Sequence, residues 1–89
     1  MTATLQDELV AMAEDELARA CTLTWLALSK VTPWGDTYEG FAPSGRAVEV
    51  ERSYVWADQI GGNVLVEVVV FQNPVLYDQG ARASRVIRR

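Results

Sequence analysis

The chain is expected to fold as a single α+β domain in which a long N-terminal amphipathic helix packs on a three-stranded antiparallel β-meander. Three observations predict this. Apolar residues recur at helical spacing from Ala3 to Val31, polar and apolar residues alternate from Arg46 to Ala57 and from Asn63 to Gln72, and the segment Gln59-Ile60-Gly61-Gly62-Asn63 joins the two alternating runs as a hairpin. The 89 residues leave room for one core. A chain this short buries only somewhat more than about 60% of the surface its unfolded form exposes.

Leu5, Leu9, Met12, Ala13, Leu17, Ala20, Leu23, Ala27 and Val31 form one broad stripe opposite Asp7, Glu8, Glu14 and Asp15. Thr2 or Thr4 can cap the start, acids in the first turns suit the positive end of the helix dipole, and Thr32-Pro33 supplies a stop. Thr22, Thr24 and Trp25 are poor helix formers, so a break near Cys21 is the alternative. The absence of Gly, Asn or Pro between Ala20 and Trp25 favours one continuous helix over residues 3–30. Trp25, Leu26 and Leu28 leave its last turns apolar nearly all round, which demands cover from the sheet or from a partner.

Pro33-Trp34-Gly35-Asp36 reads as a turn, residues 37–42 as a short strand, and Ala42-Pro43-Ser44-Gly45 as the turn into the central strand at 46–57. The partner strand follows at 64–73. Side chains alternate along a strand, so pattern fixes register. Matching Val48, Val50, Tyr54 and Trp56 to Val64, Val66, Val68 and Val70 makes one valine-rich core face and leaves Glu49, Glu51, Ser53 and Val55 beside Leu65, Glu67, Val69 and Phe71 outside. Arg52 then falls on the core face: either its stem snorkels to the sheet edge, or the register is inverted. Pro74 to Gly80 reads as a loop with an apolar anchor. The basic tail over 78–89 reads as a short helix, with Arg82, Arg85 and Arg89 on one face, or as an edge strand.

Net charge is −4, yet the ends have opposite sign: residues 1–20 carry five acids against Arg19, and residues 74–89 carry Asp78 against Arg82, Arg85, Arg88 and Arg89. An acidic domain is a poor general ligand for nucleic acid, whose affinity comes from neutralised phosphates. The apolar run of the last predicted strand is interrupted by Glu67 and falls well short of the roughly 20 residues that span a bilayer. The acidic N-terminal region is the reverse of an import signal, and the single cysteine, Cys21, can form no intramolecular disulfide, so a cytoplasmic location is expected.

The chain has no histidine, which removes the commonest general base and the commonest metal ligand, and one cysteine makes no zinc spacing. No catalytic residue, cofactor or metal is therefore expected. Gly61-Gly62 lacks the spacing of a phosphate loop and reads as the hairpin turn. Glu49, Glu51 and Glu67 are the best carboxylate group. The first two lie roughly 6.5 to 7 Å apart along a strand, a distance suited to acid/base work or a hard cation, but an open sheet face offers no cleft. Lys30 reads as a helix-end cation and Cys21 as a core residue. Of Trp25, Trp34 and Trp56, Trp34, placed in a turn, is the one expected to be exposed as a binding anchor, and the arginines at 82, 85, 88 and 89 are either solvated, paired with the acidic helix, or contacts for an anion.

These residues suit a non-enzymatic domain that binds a protein partner through Glu49, Glu51, Glu67 and Trp34. One concrete form is a phage-type inhibitor of anti-CRISPR character, presenting acids to the basic groove of a nucleic-acid-handling complex. The alternative is a structural or assembly subunit, such as a small virion or adaptor component, or a homodimer joined through the apolar end of the helix.

Overall fold

The computed structural model describes residues 4–72 and 80–89. The elements are α1 (Leu5–Ala20), α2 (Trp25–Val31), β1 (Trp34–Phe41), β2 (Ala47–Trp56), β3 (Val64–Gln72) and β4 (Ala81–Ile87). The fold is α+β. The strands form one antiparallel sheet in the order β1-β2-β3-β4, one strand more than the expected meander. Helical cover at the start of the chain (Thr2, Ala3) and the loop expected between 74 and 79 lie outside the described residues.

The continuous helix is corrected to two. At its start, Thr4 and Asp7 form a reciprocal capping box. At its end no glycine is needed. The Thr22 hydroxyl donates to the Arg19 carbonyl at 2.7 Å, and the N–H groups of Thr22 and Leu23 bond back to Arg19 and Ala20 in a tightened last turn. Thr24 then stands in extended backbone and its hydroxyl accepts from the Ala27 N–H, capping α2. Threonines that merely lower helix propensity in the interior thus terminate one helix and start the next.

The β2–β3 register is the one the valine pattern predicts: Val50 faces Val70, Tyr54 faces Val66 and Trp56 faces Val64. α1 packs over β3 and β4, and α2 over β3. Leu9, Ala13 and Leu17 of α1 and Leu28 of α2 close on Val48, Val50, Val64, Val66, Val68 and Val70. Each fully buried Val or Leu contributes about 1.5–3 kcal/mol by leaving water. Both connections within the first three strands use glycine at positive φ where the turn requires it: Gly45, after Pro43 and Ser44, and Gly61, third residue of the turn at 59–62. Trp25 Nε1 donates to the Gly62 carbonyl at 2.8 Å, which ties the start of α2 to the tip of the β2–β3 hairpin.

The turn expected at Trp34-Gly35-Asp36 is instead the first part of β1, paired one-to-one with β2 from Trp34↔Tyr54 to Phe41↔Ala47. The reason is the side chain that fitted least. Arg52 does lie on the helix side of the sheet, directly across from Asp36, and holds it with two hydrogen bonds, Nε to Oδ1 at 2.8 Å and Nη2 to Oδ2. Its guanidinium also lies over the rings of Trp34 (5.4 Å) and Tyr38 (4.9 Å), while Trp34 stacks on Tyr54 at 4.8 Å. The cluster draws residues 34–36 into the sheet. The Tyr38 hydroxyl donates to Glu16 of α1, whose Oε1 also takes Arg19 Nη1 at 3.2 Å, so a polar seam joins α1 to β1 where apolar packing thins out. Burial, and then the hydrogen bond to Glu16, push the Tyr38 hydroxyl up to about 12.

The hydrogen bond from Arg52 holds the Asp36 carboxyl below its ordinary value, against a smaller opposing effect of burial. A carboxyl depressed on folding adds stability above its unfolded pKa, and that contribution is lost as pH falls through the folded value. Asp36→Asn is therefore expected to lower unfolding free energy by about 1 kcal/mol at neutral pH, as for a well-formed, partly exposed ion pair. Urea titrations across pH should show the gap to wild type narrowing below the ordinary carboxylate range.

Candidate binding face

Alternation places every second residue of the sheet on the side away from the helices, and the registers assemble these residues into rows. Glu39, Glu49 and Phe71 form one row, Thr37, Glu51, Val69 and Arg82 the next, and Gly35, Ser53, Glu67 and Ser84 the third. The predicted carboxylates Glu49, Glu51 and Glu67 are thus on one face. Glu51 and Glu67 are diagonal neighbours across β2 and β3, about 7–8 Å apart at the backbone. Arg82 forms an ion pair with Glu67 at 3.7 Å.

The third row is built from small residues on β1 and β2, and this opens a hollow. A cavity of about 340 Å³ is lined by Gly35, Asp36, Thr37, Glu51, Arg52, Ser53, Glu67, Val69 and Arg82. A Cβ at residue 35 would stand 3.2 Å from the Arg52 carbonyl oxygen, so glycine allows β1 and β2 to close here. The face is not uniformly open. Val69 and Phe71 point outward by register yet are buried, Phe71 to 1% exposure. The hollow therefore lies beside a buried apolar end, not in the middle of a bare sheet.

Trp34 does not join the acids. It is in β1, on the helix side, 36% exposed and engaged by Tyr54 and Arg52, which corrects its expected place in a turn. The arginines do not form a helical face, because β4 is a strand. Arg82 lies outside, Arg85 is opposite Val66 on the helix side, Arg88 follows the strand, and Arg89 folds back on the hairpin tip. Its Nη1 donates to the Gly61 carbonyl at 3.1 Å, its backbone N–H donates to Asn63 Oδ1 at 3.1 Å, and its guanidinium lies 5.1 Å from the Trp25 ring. Cys21 is half-buried against the core at the end of α1, and Lys30 is in the last turn of α2.

The sequence reading missed Glu39. It sits directly across from Glu49, and the Ala42 N–H to Arg46 carbonyl bond, 2.9 Å, shows why the two are close. Counting back from that bonded pair makes Glu39 and Glu49 a non-hydrogen-bonded pair, the kind in which side chains approach most nearly. The signal was present: once Ala42-Pro43-Ser44-Gly45 closes the hairpin, counting alone sets 39 opposite 49.

Comparison with protein-family models, with curated proteins and with solved structures finds no match for this chain. Among the described residues no group of His, Cys, Asp or Glu is arranged to hold a metal ion, and no helix is long and apolar enough to cross a membrane. What the face offers is negative charge beside a hollow of mixed polar and apolar lining, a complement to lysine or arginine side chains with their apolar stems.

Like charges directly opposite on a sheet are destabilising by roughly 0.2–1 kcal/mol. Glu39→Gln is expected to raise the unfolding free energy by that amount, read from the midpoint of urea denaturation, with the gain shrinking as added salt screens the pair.

Proposed function

We propose that the chain is a non-enzymatic protein-binding domain that acts in the cytoplasm by laying the outer face of its sheet against a basic partner surface. The observation that carries this reading is the gathering of Glu39, Glu49, Glu51 and Glu67 on one face, where Arg82 pairs with Glu67. Four carboxylates on a rigid sheet steer a cationic partner and fix its orientation. A basic groove made for nucleic acid is the surface such a face fits, which makes an inhibitor of a nucleic-acid-handling complex, of the phage anti-CRISPR kind, the concrete form of the proposal. The absence of histidine agrees with occupation of a surface in place of catalysis.

A second reading, a homodimer or assembly subunit joined through α2, is favoured by a different observation. Leu23, Leu26 and Val31 are exposed around α2, although Leu28 is buried and Trp25 is half-buried and hydrogen-bonded to the hairpin tip.

The two readings separate by experiment. For a partner captured from the native host, joint Glu49→Gln, Glu51→Gln and Glu67→Gln should weaken affinity by about tenfold or more, or about 1.4 kcal/mol, and flatten its salt dependence. Unchanged affinity and salt dependence would remove the acidic-face reading. Light scattering at high protein concentration tests the other: a dimer that Leu26→Asp converts to monomer supports association through α2, and a monomer at every concentration excludes it.

A further inference from the structure

The geometry points to the open edge of β1 as a docking strand that takes up a basic, extended segment of a partner protein as an added antiparallel strand. This rests on the acidic-face reading above and specifies how the partner is held.

The two edges of the sheet differ. β4 is packed under α1 and carries Arg82 and Arg85, whereas β1 pairs with β2 on one side, and among the described residues no strand pairs with its other side. β1 runs from Trp34 to Phe41 without proline, lysine, arginine or a bulge, since its register with β2 is one-to-one throughout. Charged side chains, proline and bulges are the usual devices that blunt an edge. β1 has only acids: Asp36, which is held by Arg52, and Glu39.

The direction of the backbone groups that do not face β2 follows from one hydrogen bond. Ala42 and Arg46 are a bonded pair, so Gly40, Tyr38, Asp36 and Trp34 turn their N–H and C=O groups toward β2. Gly35, Thr37 and Glu39 turn theirs outward. The β2–β3 junction gives the same parity independently, because the Ala57 N–H to Asn63 carbonyl bond assigns the odd residues of β2 to β3 and the even ones to β1. The residues with outward backbone groups are those whose side chains lie on the acidic face, and all three are exposed.

An incoming antiparallel strand therefore places its bonded residues on that same face, beside Glu39 and one strand away from Glu49 and Glu51. Cations are favoured at those positions. Its intervening residues fall on the helix side, beside Trp34 and Tyr38, where apolar side chains fit. A second copy of this chain fits poorly, because joining two β1 edges would bring both sets of Glu39, Glu49 and Glu51 onto one continuous face.

The test uses the whole chain and a short capped peptide of alternating lysine and valine as probe, with two N-methylated versions. Methylation at the lysines removes the N–H groups that would face β1, and methylation at the valines removes those that face solvent. Expected are binding of the parent and valine-methylated peptides, loss of binding by at least about tenfold for the lysine-methylated one, and slowed amide exchange at Gly35, Thr37 and Glu39. Equal binding of both methylated peptides would overturn the proposal. Thr37→Pro removes an outward N–H without changing charge or any bond to β2, and should abolish binding while Thr37→Ala retains it. Binding that survives Thr37→Pro but is weakened by the Glu49, Glu51 and Glu67 triple change leaves the acidic face and removes the edge. The converse leaves the edge and removes the face. A wild-type dimer dissolved by Thr37→Pro would assign the edge to a second copy and overturn the basic partner. The methylated pair on unaltered protein decides the matter if Thr37→Pro fails to fold.

Discussion

The constraint on which the molecule depends is the parity of β2. Its even residues, Val48, Val50, Arg52, Tyr54 and Trp56, face the helices, and its odd residues face away, so a slip of one residue would bury Glu49 and Glu51 and expose the valine core. Nothing local forces this choice. It is imposed by β3, where Val64, Val66, Val68 and Val70 are all completely or almost completely buried beneath Leu9, Ala13, Leu17 and Leu28. From that match the acids are assigned to one surface, Arg52 is assigned to the other, and the backbone groups of β1 acquire their directions.

Arg52 shows how a residue that opposes a pattern can strengthen it. A cation on the core side of a sheet has to be paired and stacked, and Asp36, Trp34 and Tyr38 meet both needs on the β1–β2 side of the sheet, away from the β3 and β4 strands over which α1 packs. The resulting seam runs from Arg52 and Asp36 through Tyr38 to Glu16, and it fixes β1 laterally with the Tyr38 ring packed against the core. No buried side-chain polar atom among the described residues is left without a hydrogen-bond partner.

The α+β class, the hairpin and its two faces were legible because alternation over residues 46–72 is strong and the turn residues are specific. Two things were not. The break after Ala20 was hidden because threonine hydroxyls, not glycine or proline, end α1 and cap α2, and a hydroxyl signals a cap only when its neighbour's backbone is already turned. The start of β1 was hidden because Pro-Trp-Gly-Asp has turn composition, whereas its strand character comes from Arg52, sixteen positions beyond Asp36, and Tyr54, twenty beyond Trp34. Of the candidate site, the acids could be read from periodicity. The hollow could not, since it arises where Gly35 and Ser53 happen to align across two strands.

The outward parity of Gly35, Thr37 and Glu39 has an evolutionary consequence. Backbone groups survive any substitution except proline, while the exposed side chains of Thr37 and Glu39 are free to vary and residue 35 is held to glycine by its approach to the Arg52 carbonyl. For the proposed docking strand, selectivity and adhesion are therefore separable in the same short stretch of chain. In the docking proposed above, exchanging Thr37 or Glu39 would redirect the choice of partner without dismantling the means of holding it, so one scaffold could follow a changing target by single replacements.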